Sequence, residues 1–238
     1  MDKKEALKIV QEDVVGGLKN LPDEFKKDKD IVLAAVKGYG DALQFAHKNL
    51  KGDKKFIIKA VSQNGNLQFA DNKLKADKEV LLAAVKYSGL NLEEANEKLK
   101  ADKEVVLVAV KQDGYALEYA DDSLKKDKDI FLEAVKTWGY ALEYVDDSLK
   151  KDKEFVLKAV KQGGSSLQYA DDSLKKDKEF VLSAVKQGGD ALECADDSLK
   201  KDKEIVLEAV KQNGSALEYA DETLKNDDDI LVIVNKNK

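Results

Sequence analysis

The chain has 238 residues, 43% of them hydrophobic and 37% charged, with 14 glycines, one proline, one cysteine and a net charge of -6. This balance fits a soluble all-helical protein and excludes a disordered or collagen-like chain. All 41 basic residues are lysine, and an acidic protein without arginine, the bidentate reader of phosphates and guanine edges, is not expected to bind nucleic acid.

Residues 1–27 follow the pattern of the remaining chain loosely. Leu18, Leu21 and Phe25 fall at its apolar positions, whereas Pro22 and the doublet Gly16–Gly17 are foreign to it, so this stretch is expected to be an N-terminal capping segment. The opening MDKKEALKIVQEDVV carries scattered charges and lacks the apolar core of a signal peptide, and no run approaches the length of a membrane span. With a single cysteine there is no disulfide framework, so a cytoplasmic protein is expected, and a leaderless secreted one would read the same way.

From Asp28 onward one 25-residue phrase recurs, led by Asp28, Asp53, Asp77, Asp102, Asp127, Asp152, Asp177, Asp202 and Asp227. A fixed period means a stack of one supersecondary unit, so the length counts copies and the chain is one repeat domain. Residues 28–226 are eight tandem repeats, and 227–238 are a truncated ninth holding only its first helix and a Lys/Asn tail. The fold expected is an all-α, elongated α-solenoid.

Counting the leading Asp as position 1, that residue is an N-cap, and the acid at position 3 (Glu104, Asp129, Glu154) suits the positive end of the helix dipole. The first helix is expected to end at the glycine of position 13 (Gly40, Gly65, Gly89, Gly114, Gly139, Gly164, Gly189, Gly214), read as a left-handed C-terminal residue. Apolar positions 4, 5, 6, 8 and 9 (Val105, Val106, Leu107, Ala109, Val110) cover more than half of that helix, so it must touch neighbours on two sides. A shorter second helix buries Ala116, Leu117, Tyr119 and Ala120, and ADDSLKK adds a capped turn anchored by Leu124. One copy alone buries too little to offset its ordering entropy, so folding requires neighbours.

Copies that read D-K-E-V-V-L-x-A-V-K-Q-x-G-x-A-L-E-Y-A resemble the family called domain of unknown function 4116, over about residues 28–225. The resemblance implies an α-helical tandem array of varied copy number. It brings no assigned activity, cofactor or catalytic residue.

Departures from the phrase carry what functional signal there is. One residue is missing between Gly65 and Leu67, and Glu94 stands where other copies place a core Tyr or Phe, which should change the local rise or twist of the stack. The lone His47 and Cys194 are some six copies apart, so no Cys–His dyad is expected, and Cys194 at position 18 is read as a packed core thiol. No catalytic residue, metal site or cofactor is expected.

The recurring acidic pairs Asp121–Asp122, Asp146–Asp147, Asp171–Asp172, Asp196–Asp197 and Asp221–Glu222 are explained by capping. Stacked as a ladder, they support the alternative of a Ca²⁺-responsive acidic scaffold. Positions 7, 12 and 14 vary freely between copies, as a binding face on a constant scaffold requires. Tyr115, Glu133, Trp138 and Tyr140, with Tyr39 and Tyr87 on the same edge, are therefore the expected partner-binding residues of a non-enzymatic scaffold for a protein or peptide. The apolar run Ile230–Val234 has no second helix to cover it, so either this end is expected to self-associate or the chain is a piece of a longer array.

Overall fold

The computed structural model describes residues 1–236, and every regular element among them is an α-helix or a 3-10 helix. Asn237 and Lys238, the end of the expected tail, lie outside the described residues. The chain divides into two compact units, Met1–Asp121 and Asp122–Lys238.

In the first unit the long helices are Lys3–Glu12, Lys29–Gly38, Lys54–Val61, Lys78–Tyr87 and Lys103–Gln112, each packed on the next. In the second they are Lys128–Thr137, Lys153–Gln162, Lys178–Gln187, Lys203–Gln212 and Asp228–Lys236, stacked in the same way. Corners also pack on corners: Gly89–Glu94 on Gly114–Tyr119 in the first unit, Gly164–Tyr169 on Gly189–Cys194 in the second. Each unit is therefore a stack of helical repeats.

The leading aspartates cap as expected, and their two oxygens divide the work. In Asp102, Oδ1 accepts from the N–H groups of Glu104 at 3.0 Å and Val105 at 3.3 Å. Its Oδ2 receives Lys78 Nζ of the preceding repeat at 2.7 Å, and the same ammonium reaches Glu104 at 2.8 Å. The arrangement recurs as Lys54 with Asp77, Lys178 with Asp202 and Lys203 with Asp227. It begins at Lys3, which reaches Asp28 at 2.9 Å, and Asp2 closes a capping box with Glu5, so the capping segment 1–27 carries the same joint as the copies after it. A backbone bond repeats alongside, from Asp171 N to Lys150 O and from Asp196 N to Lys175 O, both 3.0 Å.

These joints give the repeat stack a pH signature. Lys78 holds the Asp102 carboxyl below the usual carboxylate range, and Lys54 and Lys178 do the same for Asp77 and Asp202. A carboxyl whose pKa falls on folding contributes stability above its unfolded value of about 3.9, and this is lost as pH falls through the lower folded value. The urea midpoint is therefore expected to hold from about pH 6 to about pH 4 and to drop below it. A joint variant such as Lys78→Gln should lower the plateau slightly and blunt the drop, whereas an identical acid profile for the variant would contradict the role given to Lys78.

Positions 4, 5, 8 and 9 form the core as expected: Val105, Val106, Ala109 and Val110 are fully buried, as are Phe180's neighbours Val181, Ala184 and Val185. Position 6 differs. Leu33 of the first copy is buried there, but Ile58, Leu82 and Leu107 are only half-buried, because that side of the helix turns outward.

Three further expectations are corrected. The segment after the long helix is a 3-10 corner of six residues, as in Gly139–Tyr144 and Gly164–Tyr169, and not a second α-helix. Position 12 is extended (Trp138 φ -141°, ψ 104°) and its N–H bonds back to the helix, so position 13 opens the corner rather than closing the helix. No described residue has a left-handed φ, and at Gly164 and Gly189 the position-13 glycine is needed for close approach instead. A Cβ on Gly164 would lie 2.6 Å from Ala191 N, and one on Gly189 2.6 Å from Ala209 O, both backbone atoms of the following repeat.

The deletion in the second copy is absorbed locally. Its helix Lys54–Val61 has 8 residues, and its corner, Leu67–Phe69, has 3. Gly65 folds back so closely that a Cβ there would meet Ala60 C at 2.7 Å. At the other end of the chain Ile230 is buried and Leu231, Ile233 and Val234 are half-buried, so Val232, 52% exposed, is the bare member of the apolar run.

Candidate functional site

The expected binding residues of the second unit meet at its corners. Trp138, at the extended position 12, is half-buried and stacks on Tyr144 of its own corner, with ring centroids 5.4 Å apart and planes at 23°. Tyr140 stands edge-on to Trp138 at 6.1 Å and edge-on to Tyr169 of the next repeat at 6.0 Å. Four rings, Tyr144, Trp138, Tyr140 and Tyr169, thus run in contact across two repeats, and Tyr140 is 39% exposed. Aromatic pairs of this geometry are held by edge and face electrostatics as well as by buried area. Glu133 is half-buried on the long helix and pairs with Lys136 at 2.7 Å.

Tyr144 and Tyr169 occupy position 18, which the α-helical spacing assigned to the core. The 3-10 corner turns that position outward, so its residues are half-buried throughout, Cys194 among them. Cys194 donates its S–H to Ser165 O at 3.6 Å, and burial pushes the thiol up, away from the thiolate form. Burial and a hydrogen bond to Glu143 likewise push the Tyr169 phenol up, and Glu218 holds Tyr219 at about 12.

In the first unit Tyr39 and Tyr87 share a depression of about 510 Å³ at the irregular second copy, with Asp41, Asn66, Asn91 and Glu94 in its wall. Tyr87 is 43% exposed and donates its hydroxyl to Asn64 Oδ1 at 3.2 Å. Asn66 donates to Asp41 at 2.9 Å. Glu94, in place of an aromatic ring, pairs with Lys75 at 3.0 Å, so the substitution exchanges a ring for an ion pair at the rim. Tyr115 is half-buried against Tyr119, edge-on at 6.1 Å.

The acidic pairs are tied into the turns. Asp146 Oδ1 accepts from Ser148 N and Oγ, at 3.0 and 2.6 Å, which holds its carboxyl low. The second acids answer lysines one turn on, as in Asp147 with Lys150 at 3.2 Å and Asp172 with Lys175 at 3.1 Å. His47 takes the same capping place as these first aspartates, its Nδ1 accepting from Asn49 N at 3.3 Å.

A second groove, of about 760 Å³, opens in the first unit between the helices Lys54–Val61 and Lys78–Tyr87. Its floor is Ile58, Leu82 and Ala83. The signal for it in the sequence is small: Ser62 stands at position 10, where the other full copies carry lysine, and position 7 of the next copy is the small Ala83.

A stack of helical modules with variable side chains on its corners and outer face defines the class: a tandem α-helical repeat protein. The family described as domain of unknown function (DUF4116) matches overlapping segments from 2–51 and 28–75 through 177–225 and 202–238, and the chain belongs to it. Each full match spans two consecutive modules, the smallest piece in which one helix meets the next. No curated protein and no solved structure matches the chain. Among the described residues no helix is long and apolar enough to cross a membrane.

Proposed function

We propose that the chain is a non-enzymatic repeat scaffold that binds a protein or peptide through the variable residues of its corners. The observation that carries this reading is the run of rings Tyr144, Trp138, Tyr140 and Tyr169, adjoining and partly open to water. Tyrosine and tryptophan offer a large contact area with little rotamer freedom to lose, and they dominate the energetic centres of protein interfaces. The joints between repeats fix the spacing of these rings, so affinity would not have to pay for ordering them. A cytoplasmic setting suits a chain with one cysteine.

Selection from a displayed peptide library with the full chain tests the proposal. Tyr140→Ala is expected to leave the melting temperature within about 2 °C, since an exposed side chain contributes little to stability, while weakening the selected peptides about tenfold or more. Trp138→Ala removes a ring stacked on Tyr144 and should lower both binding and stability. Selected peptides that bind Tyr140→Ala and Trp138→Ala as well as the parent would reject the corner as the site.

A further inference from the structure

Both departures from the repeat phrase, the residue missing after Gly65 and the carboxylate of Glu94, fall at one depression of the first unit. Its wall comes from consecutive corners: Tyr39 and Asp41 from the first, Asn64 and Asn66 from the second, Tyr87, Asn91, Glu93 and Glu94 from the third. The middle corner, Leu67–Phe69, has 3 residues where its neighbours Gly40–Phe45 and Gly89–Glu94 have 6, so the shortened chain leaves about 510 Å³ open between them. That volume lies in the range of ligand pockets. No lysine lines it. The groove between Lys54–Val61 and Lys78–Tyr87, by contrast, contains Lys78 and Lys86, and two depressions of the second unit contain Lys125 with Lys126 and Lys175 with Lys176. Here the charged groups are Asp41, Glu93 and Glu94, and among the described residues only Glu94 has an ion-pair partner, Lys75 at 3.0 Å.

Hydrogen bonding biases the depression in the same direction. Asn64 donates to Lys37 O at 3.4 Å, Asn66 to Asp41 at 2.9 Å, and Asn91 to Ala84 O at 3.2 Å and Ser88 O at 3.1 Å, so these amide donors are turned into the protein. Tyr87 donates its hydroxyl to Asn64, and Tyr39 donates its own to Asp41. Gln68 and Ser88 keep neutral donors, whereas the exposed Glu93 offers charged acceptors. The surplus is of acceptors and negative charge beside two tyrosine rings, and its complement is a ligand of donors and positive charge. Ammonium and guanidinium groups have that composition, donor throughout and acceptor nowhere, and both gain from aromatic faces. A bare metal ion fits less well, since among the described residues no three histidine, cysteine, aspartate or glutamate side chains gather to hold one. We propose that this depression binds the cationic group of a lysine or arginine side chain on a peptide partner, held between Asp41 and Glu93 with its stem against Tyr39 and Tyr87. This rests on the reading above of a peptide-binding corner surface and gives the chemistry of one contact.

Fluorescence anisotropy with the full chain tests it, using a labelled peptide of glycine and alanine with one central lysine, and matched peptides with norleucine or glutamate in its place. The lysine peptide is expected to bind saturably, more tightly at low salt, and about tenfold or more above either comparison. An acidic chain attracts any cation, so paired variants locate the site. Asp41→Asn with Glu93→Gln should weaken the lysine peptide about tenfold. Asp190→Asn with Glu193→Gln, the same repeat positions beside a corner of full length, should change it less than about twofold, with the circular dichroism of both variants checked against the parent. Butylamine, the same ammonium group without a peptide, should compete only at concentrations about tenfold or more above those of unlabelled lysine peptide. Equal binding of the norleucine peptide, no binding of the lysine peptide, competition by butylamine as effective as by the peptide, or indifference to Asp41→Asn with Glu93→Gln would each overturn the proposal. Tyr140-dependent peptide binding that survives such a result would leave the corner reading standing.

Discussion

Gly189→Ala is expected to destabilise the protein by about 1–3 kcal/mol, the range for forcing an extra carbon into packed surroundings. The new Cβ would stand 2.6 Å from Ala209 O and 3.2 Å from Asn213 N, backbone atoms that cannot swing aside. Gly214→Ala is expected to do the opposite. Its Cβ would find Val234 Cγ1 at 3.7 Å, an ordinary contact, and with no left-handed φ to forbid a side chain, the stiffer unfolded chain should raise stability by about 0.4–1 kcal/mol. The two substitutions are chemically identical and occupy the same position of the repeat. Urea denaturation of both separates close approach between repeats from a left-handed helix end as the reason for glycine; equal losses would favour the latter.

The second large effect concerns the corner leucine at position 16. Leu192 is fully buried, as are Leu142 and Leu167 before it, whereas Leu217, in the last corner, is half-buried. What closes over Leu192 is therefore the following corner, Gly214–Tyr219, which packs on Gly189–Cys194. Leu192→Ala should cost about 2–5 kcal/mol through lost burial and the cavity left behind. Leu217→Ala should cost clearly less, because the side chain is already partly in water and the site can collapse. Urea midpoints, with amide exchange in the two corners as a local check, would decide it. Equal costs would mean that the leucine is held by its own repeat, and the neighbour would lose its role in the core.

Much of this architecture is legible in the sequence because it is local or periodic. A leading Asp with an acid two residues on predicts its own capping bonds, and Val105, Val106, Ala109 and Val110 declare the core by their recurrence. What stayed hidden depends on the adjacent repeat. The reason for Gly164 lies at Ala191, in the next copy, and the second oxygen of Asp102 is claimed by Lys78, in the previous one. Likewise the corner's 3-10 winding sends Tyr144 and Tyr169 outward, which a 3.6-residue period misassigns. Within the candidate surface, Trp138 and Tyr140 could be paired from their spacing. Their continuation to Tyr169 could not, because it crosses between modules. The groove at Ile58 and Leu82 was hidden for a different reason: it comes from what is small, Ser62 and Ala83, and an apolar side chain at position 6 looked like core.

The joint between Lys78 and Asp102 has a consequence at the level of the gene. Its donor stands at position 2 of one module and its acceptor at position 1 of the next, so an in-phase duplication or deletion of whole 25-residue segments by unequal crossing-over regenerates every such contact without a single compensating substitution. Array size can therefore drift among descendants while each junction stays intact. The second copy, one residue short, keeps its junction as well, with Lys54 reaching Asp77 at 2.8 Å, because its helix and corner take up the loss.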